Sequence, residues 1–311
     1  MNFPAILSLG QTALELGLIC SLTVLALFLS YSMLNVCDLS TDGCFTLGAA
    51  VGAVVALSGH PLLAPLAAMG AGMCSGLVTA VLQTRLGIDS LLAGIIVNTG
   101  LYSINIAIMG GSSLLNLNKT DTVFTMMKTA LQATPFASQF KLVVGLIAAV
   151  LVILFLVFFL NTRLGLSIRA TGDNPDMVRS SSINPIFTTT VGLCVANAFT
   201  GLSGCLLAQS QKSVSIDIGS GMVTIALASL LIGRTVMGKG GIPTRAVGMV
   251  VGAVIFRLVY AVALRFNMPA FMLKLVSSVI VVIAISGPYL KTQLPTLRRR
   301  LSQKKGVGKS C

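Results

Sequence analysis

The sequence predicts an all-α protein that crosses a membrane many times. Three observations lead to this fold class: 55% of the 311 residues are hydrophobic, only 9% are charged, and the mean hydropathy is +0.95. A soluble domain has about 25% charged residues, so this chain could not cover a water-exposed surface of its size. Apolar runs of about 20 residues recur along it, and each is long enough to cross a bilayer as a helix.

Seven apolar runs are long enough to cross the membrane, and two shorter runs are rich in glycine. The long runs lie at 12–35, 62–84, 90–109, 141–160, 186–208, 246–264 and 270–289. The short runs lie at 44–57 and 219–233. We therefore expect eight to ten transmembrane helices in one membrane domain over 1–290, followed by a tail over 291–311.

Positive charge is concentrated in the tail. The net charge is +13, and seven of the 21 Lys and Arg residues follow residue 290. This distribution is typical of a cytoplasmic segment beside anionic lipids, and it argues against a nucleic-acid partner. A cytoplasmic tail places loops 161–185 and 234–245 inside and loops 110–140 and 209–218 outside. The N-terminus then lies outside if the first short run crosses fully, and inside if that run is re-entrant.

The chain offers few reactive groups. Its seven cysteines form no C-x-x-C pair and His60 is the single histidine, so we expect neither a disulfide framework nor a metal site. The terminal sequence GVGKSC lacks the first glycine of a phosphate-binding loop, because Gln303 stands at that position. We expect no catalytic residue and no cofactor in this chain.

The two short runs echo each other. DLSTDGCFTLGAA begins at Asp38 and SIDIGSGMVTIALA begins at Ser215, and each combines an acidic residue, glycines and a small-residue helix. The predicted topology starts them from opposite sides. Inverted repeats with interrupted helices are typical of transporters, and such helices line the pathway. Chance similarity between apolar segments is the alternative.

Polar residues in these segments and in the spans are candidates for a translocation pathway. Amides inside a span either bond between helices or line a wet path. The candidates are Asp38, Ser40, Asn98, Asn197, Asp217 and Gly221.

Arg257 is a charge inside a predicted span. It lies about 11 residues into the run 246–264, roughly 16 Å deep at 1.5 Å per residue. An arginine near the bilayer centre costs at least ~2.5 kcal/mol, so it needs a partner or a wet cavity. Glu15 and Asp217 are the candidate partners. The alternative is an arginine whose side chain extends to the outer edge of the bilayer.

The segment RATGDNPDMVRSSSINP, residues 169–185, is polar in an otherwise apolar chain. Gly172 can end one helix, Asp173 or Asn174 can cap the next, and Pro175 suits a first helical position. We expect a short helix on the cytoplasmic face, with Met177, Val178 and Ser181 on one side. A plain polar loop is the alternative.

Three motifs together resemble the permease subunits of ABC importers for branched-chain amino acids, ribose-type sugars and nucleosides. They are CDLSTDGCFTLGAAVGA, GLSIRATGDNPDMVRSSSIN and DIGSGMVTIALASLLIGRTVMGKGGIPTRAVGMVVGAVIFRLV. The first motif, taken with GIDSLLAGIIVNTGLYSINIAIMG, is most similar to a subgroup assigned to tryptophan/tyrosine-type import. The resemblance covers most of residues 30–290.

The resemblance implies that Gly172–Asn184 is the coupling helix, which docks on a separate ATPase subunit. The residues it assigns to coupling are Arg169, Gly172, Asp173, Asn174, Pro175, Val178, Ile183 and Asn184. The family usually has glycine before the Ile-Asn pair, where this chain has Ser182, so the helix exit is expected to differ.

The partners implied are two ATPase subunits carrying ATP and Mg, a second copy or similar permease, an extracytoplasmic solute-binding protein, and membrane lipids. The chain is then a bacterial cytoplasmic-membrane subunit that imports a small polar solute, with an amino acid favoured, by alternating access. A stand-alone transporter driven by an ion gradient is the competing reading, although it would need intramembrane carboxylates that are scarce here.

Overall fold

A computed structural model describes residues 3–118, 120–130, 139–238 and 240–265, with six isolated positions between 275 and 286. Eleven helices and two short strands occur in these residues. The helices are α1 Phe3–Leu27, α2 Thr41–Leu57, α3 Ala64–Thr84, α4 Ser90–Ile108, α5 Val123–Ala130, α6 Phe140–Asn161, α7 Arg163–Asp173, α8 Pro175–Ser180, α9 Pro185–Gln211, α10 Met222–Met237 and α11 Ile242–Arg265. A π-helical turn, Phe28–Met33, extends α1.

Six helices in the described ranges are long and apolar enough to cross a membrane. They are Leu9–Met33, Ala64–Thr84, Ser90–Ile108, Phe140–Asn161, Pro185–Gln211 and Ile242–Ala263. They match six of the seven long runs expected, and α2 and α10 match the two short runs. The all-α polytopic fold is therefore confirmed. The expected span 270–289 and the tail 291–311 fall outside the described residues, apart from the isolated positions.

Helix α9 lies at the centre of the bundle. In its most apolar window 83% of the residues are buried, against 28% in α4 and α6. Glycines allow its neighbours to approach closely: a Cβ at Gly48 of α2 would overlap the backbone of Gly201, and one at Gly72 of α3 would overlap the Asn197 carbonyl oxygen. Small residues at helix crossings are how membrane helices pack without a hydrophobic driving force.

The connecting segments gather at two ends. At one end, Gly172 of α7 lies against the backbone of Met33 and Leu34. At the other end, β1 (Leu114–Asn116) pairs antiparallel with β2 (Ser213–Ser215), with Leu115 opposite Val214. This grouping joins the two loops expected outside and separates them from loop 161–185. Which end faces the cytoplasm stays a prediction.

The two short helices start in the interior and run to opposite ends. Gly43, at the start of α2, lies beside Asn98 and Leu101 at the middle of α4. The end of α2 packs with Leu117 and Val214 near the strands. The end of α10 lies beside Phe28 and Ser32, near α7. A non-helical segment precedes each short helix and continues its crossing of the bundle. These segments are residues 34–40 and 216–221.

Candidate translocation cavity and docking segment

The first turns of α2 and α10 are joined by the carboxylate of Asp42. Its Oδ2 accepts a hydrogen bond from the Gly221 N–H at 2.9 Å, and its Oδ1 accepts one from the Val223 N–H at 2.8 Å. These N–H groups belong to the start of α10, where the helix dipole favours a negative charge. Gly221 caps α10 with φ of +85°, a conformation that glycine adopts without strain. A Cβ at Gly219 would overlap the Asp42 carbonyl oxygen, so this junction is closely packed.

A polar cavity of about 340 Å³ opens beside this junction. It lies where α4 passes the starts of the two short helices. Its lining comprises Asp42, Gly43, Thr46, Asn98, Thr99, Tyr102, Asn105, Ile216, Asp217 and Ser220. Interrupted helices whose ends converge on a polar site near the bilayer centre are typical of solute and ion sites in transporters. Two of the expected pathway residues, Asn98 and Asp217, line this cavity, and Gly221 directly follows its last lining residue.

The other three expected pathway residues form a closed polar cluster. Asp38 is only 2% exposed, and its carboxylate accepts bonds from the Ser40 N–H at 2.8 Å, the Ser40 hydroxyl at 2.6 Å and the Asn197 side-chain amide at 2.8 Å. The Thr79 hydroxyl donates to the Ser40 hydroxyl at 3.3 Å. This cluster links residues 34–40 to α3 and α9. It does not line the cavity, and a pathway role for it stays a prediction.

The polar segment 169–185 folds as two helices. Asp173 ends α7, and Asn174 caps α8 by accepting bonds from the N–H groups of Asp176 and Met177, each at 3.1 Å. Pro175 is the first residue of α8. The helix that was expected over Gly172–Asn184 is therefore shorter, Pro175–Ser180, and Gly172 belongs to the preceding helix.

The prediction that Met177, Val178 and Ser181 share one face of α8 is wrong. Met177 is 67% exposed, whereas Val178 is 3% exposed. Consecutive helical residues point about 100° apart, and in α8 this separation places Met177 outward and Val178 inward. Met177 thus projects from the protein surface, and Val178 anchors α8.

Helix α7 contacts two membrane helices, the extension of α1 and the start of α9. A Cβ at Gly172 would overlap the Met33 carbonyl oxygen at the end of the α1 extension. The Thr171 and Thr188 hydroxyls share a hydrogen bond of 2.8 Å, which links α7 to α9. Arg169 lies half-buried on the same helix. Helix α7 therefore contacts both the end of the α1 extension and the first turn of α9.

Helix α8 is followed by Ser182, where the resemblance leads us to expect a glycine. Ser182 has φ of +61°, the left-handed region that favours glycine. The glycine that the resemblance leads us to expect here would adopt this conformation without strain, and serine adopts it in this chain. Ile183 then donates its N–H to the Val178 carbonyl oxygen at 3.2 Å. Asn184 caps α9 through the Ile186 N–H at 3.0 Å.

Arg257 does not pair with either expected acid. Its Nη2 donates to the Cys20 Sγ at 2.8 Å, and its guanidinium lies 5.8 Å from the Tyr260 ring centre. Its buried Nε has no hydrogen-bond partner among the residues that the structure describes. Glu15 instead accepts a bond from Gln11, and Asp217 lines the cavity. Within the described ranges Arg179 and Asp176 form the single ion pair, and no cluster of potential metal ligands occurs.

Several residues of the cavity were not predicted from the sequence. Asp42, Thr99, Tyr102 and Ser220 carry no signal in sequence that separates them from ordinary span or loop residues. Asn105 was not among the chosen pathway residues, yet it lines the cavity, and it also donates to the Gly43 carbonyl oxygen at 3.2 Å. The acidic residue of the echoed motif could have been chosen as Asp42 rather than Asp38, since both lie within DLSTDG.

Comparison with known proteins identifies relatives over nearly the whole chain. Residues 11–285 match the family described as "Branched-chain amino acid transport system / permease component". The tyrosine transport system permease protein of Clostridioides difficile (strain R20291) is 30% identical over 296 residues, which cover 94% of this chain and 96% of that protein.

Two more distant relatives act on other solutes according to their names. The nucleoside ABC transporter permease protein NupB of Lactococcus lactis is 27% identical, over 60% of this chain and 59% of that protein. The galactose/methyl galactoside import permease protein MglC of Haemophilus influenzae is 26% identical, over 60% of this chain and 54% of that protein. No solved structure was found to match the chain.

Proposed function

The chain belongs to the family of permease components of the branched-chain amino acid transport type and is an ABC importer permease, and from that premise we propose that it moves an amino acid by alternating access. The solute crosses at the polar cavity, which opens first to one end of the bundle and then to the other. The observation that carries this proposal is the meeting of α2 and α10 at the middle of α4, with a cavity of about 340 Å³ beside it.

An amino acid is the solute favoured by the relatives. The permease that is similar over 94% of this chain is named for tyrosine transport. The nucleoside and galactose permeases match over 60% of it and at lower identity. The tryptophan/tyrosine-type resemblance of the early motifs agrees with this order.

Energy for transport comes from a partner rather than from this chain. Two ATPase subunits, carrying ATP and Mg, dock on α8 from the cytoplasm. The exposed Met177 side chain at the tip of α8 enters the partner, and Val178 holds α8 against the bundle. Closure of the ATPases moves α7, and the attachments of α7 pass the movement to α1 and α9. A purely ion-driven transporter has no need for such a docking segment.

The remaining partners complete a bacterial importer. The functional unit contains a second copy of this chain or a similar permease. A solute-binding protein delivers the amino acid at the β1–β2 end. The subunit lies in the cytoplasmic membrane with its basic C-terminal tail inside, beside anionic lipid headgroups.

Site-directed crosslinking tests the docking step. Met177→Cys is combined with single cysteines in the groove of the neighbouring ATPase, in a background without native cysteines. Val178→Cys is the matched control, because its side chain is buried. We expect a crosslink from position 177 whose yield changes with ATP, and none from position 178. The opposite result is no crosslink from position 177 at any groove site, together with uptake by the lone chain in liposomes. That result would overturn the hypothesis of an ATPase-driven permease in favour of a transporter driven by an ion gradient.

A further inference from the structure

We propose that the cavity binds the ammonium group of its solute, with Asp217 as the counter-charge and the Asn105 side-chain oxygen as a second acceptor. This inference rests on the proposed function, because it names the chemistry of the solute at the same cavity. It separates amino acids from the sugar and nucleoside classes that the more distant relatives are named for.

The charges of the lining favour a cation. Among the described residues, Asp42 and Asp217 are the two carboxylates of the lining, and no Lys, Arg or His belongs to it. Asp42 already accepts two N–H bonds at the start of α10. Asp217 accepts no side-chain bond and forms no ion pair with any residue in the described part of the chain. Asp217 is an exposed residue of this lining, so its carboxylate is accessible to a cation that enters the cavity.

Asn105 gives an independent observation. Its side chain is 1% exposed and lines the cavity. The Gly43 carbonyl oxygen accepts from its Nδ2, which fixes the orientation of the amide because a carbonyl needs a donor. Its Oδ1 therefore faces away from Gly43 and has no partner among the described residues. A buried acceptor without a partner is unfavourable, and a donor on a bound solute would remove this cost.

Further lining groups suit an amino acid. Tyr102 belongs to the lining, and an aromatic ring attracts an ammonium group that lies over its face. Asn98 supplies both amide donors and an acceptor, and its Oδ1 lies close to the first turn of α2. The Asn98 side-chain NH2, which points away from its Oδ1, can donate to a solute carboxylate, while the ammonium group lies between Asp217 and Asn105.

Protection from cysteine labelling tests the inference without an ATPase. Thr99→Cys, in a background without native cysteines, places a thiol in the cavity of the purified full chain in lipid nanodiscs. The rate of maleimide labelling is measured with L-tyrosine, with tyramine, which has the ammonium group alone, and with 3-(4-hydroxyphenyl)propionate, which has the carboxylate alone. D-Galactose represents the sugar class.

We expect L-tyrosine and tyramine to slow labelling. Asp217→Asn should raise the half-protecting concentration of tyramine about 10- to 100-fold, the effect of losing a hydrogen bond to a charged group. Asp217→Glu should retain most of the protection, and Asp121→Asn, an exposed carboxylate outside the lining, should change nothing.

Three results would overturn the inference: equal protection by the propionate and tyramine, protection by D-galactose alone, or no protection by either amine. Protection that Asp217→Asn leaves unchanged would also remove Asp217 from the site. Because the assay contains no ATPase, these outcomes leave the crosslinking result untouched, and failure of the crosslinking would not alter them.

Discussion

Removing the Asp42 carboxylate should loosen the junction between α2 and α10. Asp42→Ala leaves the N–H groups of Gly221 and Val223 without their acceptor, after bonds of 2.9 Å and 2.8 Å. A hydrogen bond to a charged group contributes roughly 1.5–3 kcal/mol. Asp42 is half-buried and borders the cavity, so water can reach the freed N–H groups and the loss falls at the lower end. We expect about 3 kcal/mol of lost unfolding free energy.

Asp89→Ala is the matched control. Asp89 also caps a membrane helix, but its carboxylate is exposed and accepts one bond, from the Leu91 N–H at 2.9 Å. Losing an ordinary N-cap costs about 1 kcal/mol. Reversible unfolding of both variants in mixed micelles, followed by helical circular dichroism, gives the two free energies. If Asp42→Ala costs no more than Asp89→Ala, the carboxylate does not hold the short helices together.

Three further changes test the docking segment. Gly172→Ala should abolish transport because a Cβ there overlaps the α1 extension, whereas Gly100→Ala on α4 meets no atom within 4 Å and should keep wild-type uptake; equal uptake by the two variants would contradict the close packing. Ser182→Gly should keep full expression and uptake, and Ser182→Val should lose about 1–3 kcal/mol of stability, since φ of +61° strains a branched residue; equal melting of the two variants would count against this. A double-mutant cycle with Thr171→Val and Thr188→Val should give a coupling energy of about 1 kcal/mol, and additive unfolding free energies would show that the shared hydrogen bond contributes nothing.

Hydropathy predicted the spans because the bilayer imposes length and composition on each helix. Six of the seven expected long runs became helices that match their predicted ranges closely. The caps of the docking segment were also readable, since Asn174 and Pro175 act through local backbone chemistry. Local signals of this kind do not depend on how the rest of the chain packs.

The sequence did not predict the contacts between residues that are far apart in the chain. Asp38 and Asp42 lie four residues apart in one motif, yet one closes a polar cluster with Asn197 and the other reaches α10. The contact that each carboxylate makes depends on the direction in which residues 34–40 approach α2. That direction is determined by packing against distant helices. The contact between Arg257 and Cys20 has the same origin, because a single-sequence pattern gives no register between α1 and α11.

The β1–β2 pairing has a consequence for communication between the protein surface and its interior. Ser215 is paired with Leu114, and the Ile216 N–H donates to the Ser113 carbonyl oxygen at 3.0 Å. Ile216 and the next residue, Asp217, both line the cavity, so the cavity wall begins where the strand ladder ends. We expect a protein that presses on these strands to displace the cavity wall, because the two are continuous in the backbone. Arrival of a partner at this surface could therefore be sensed at the solute site before any helix tilts.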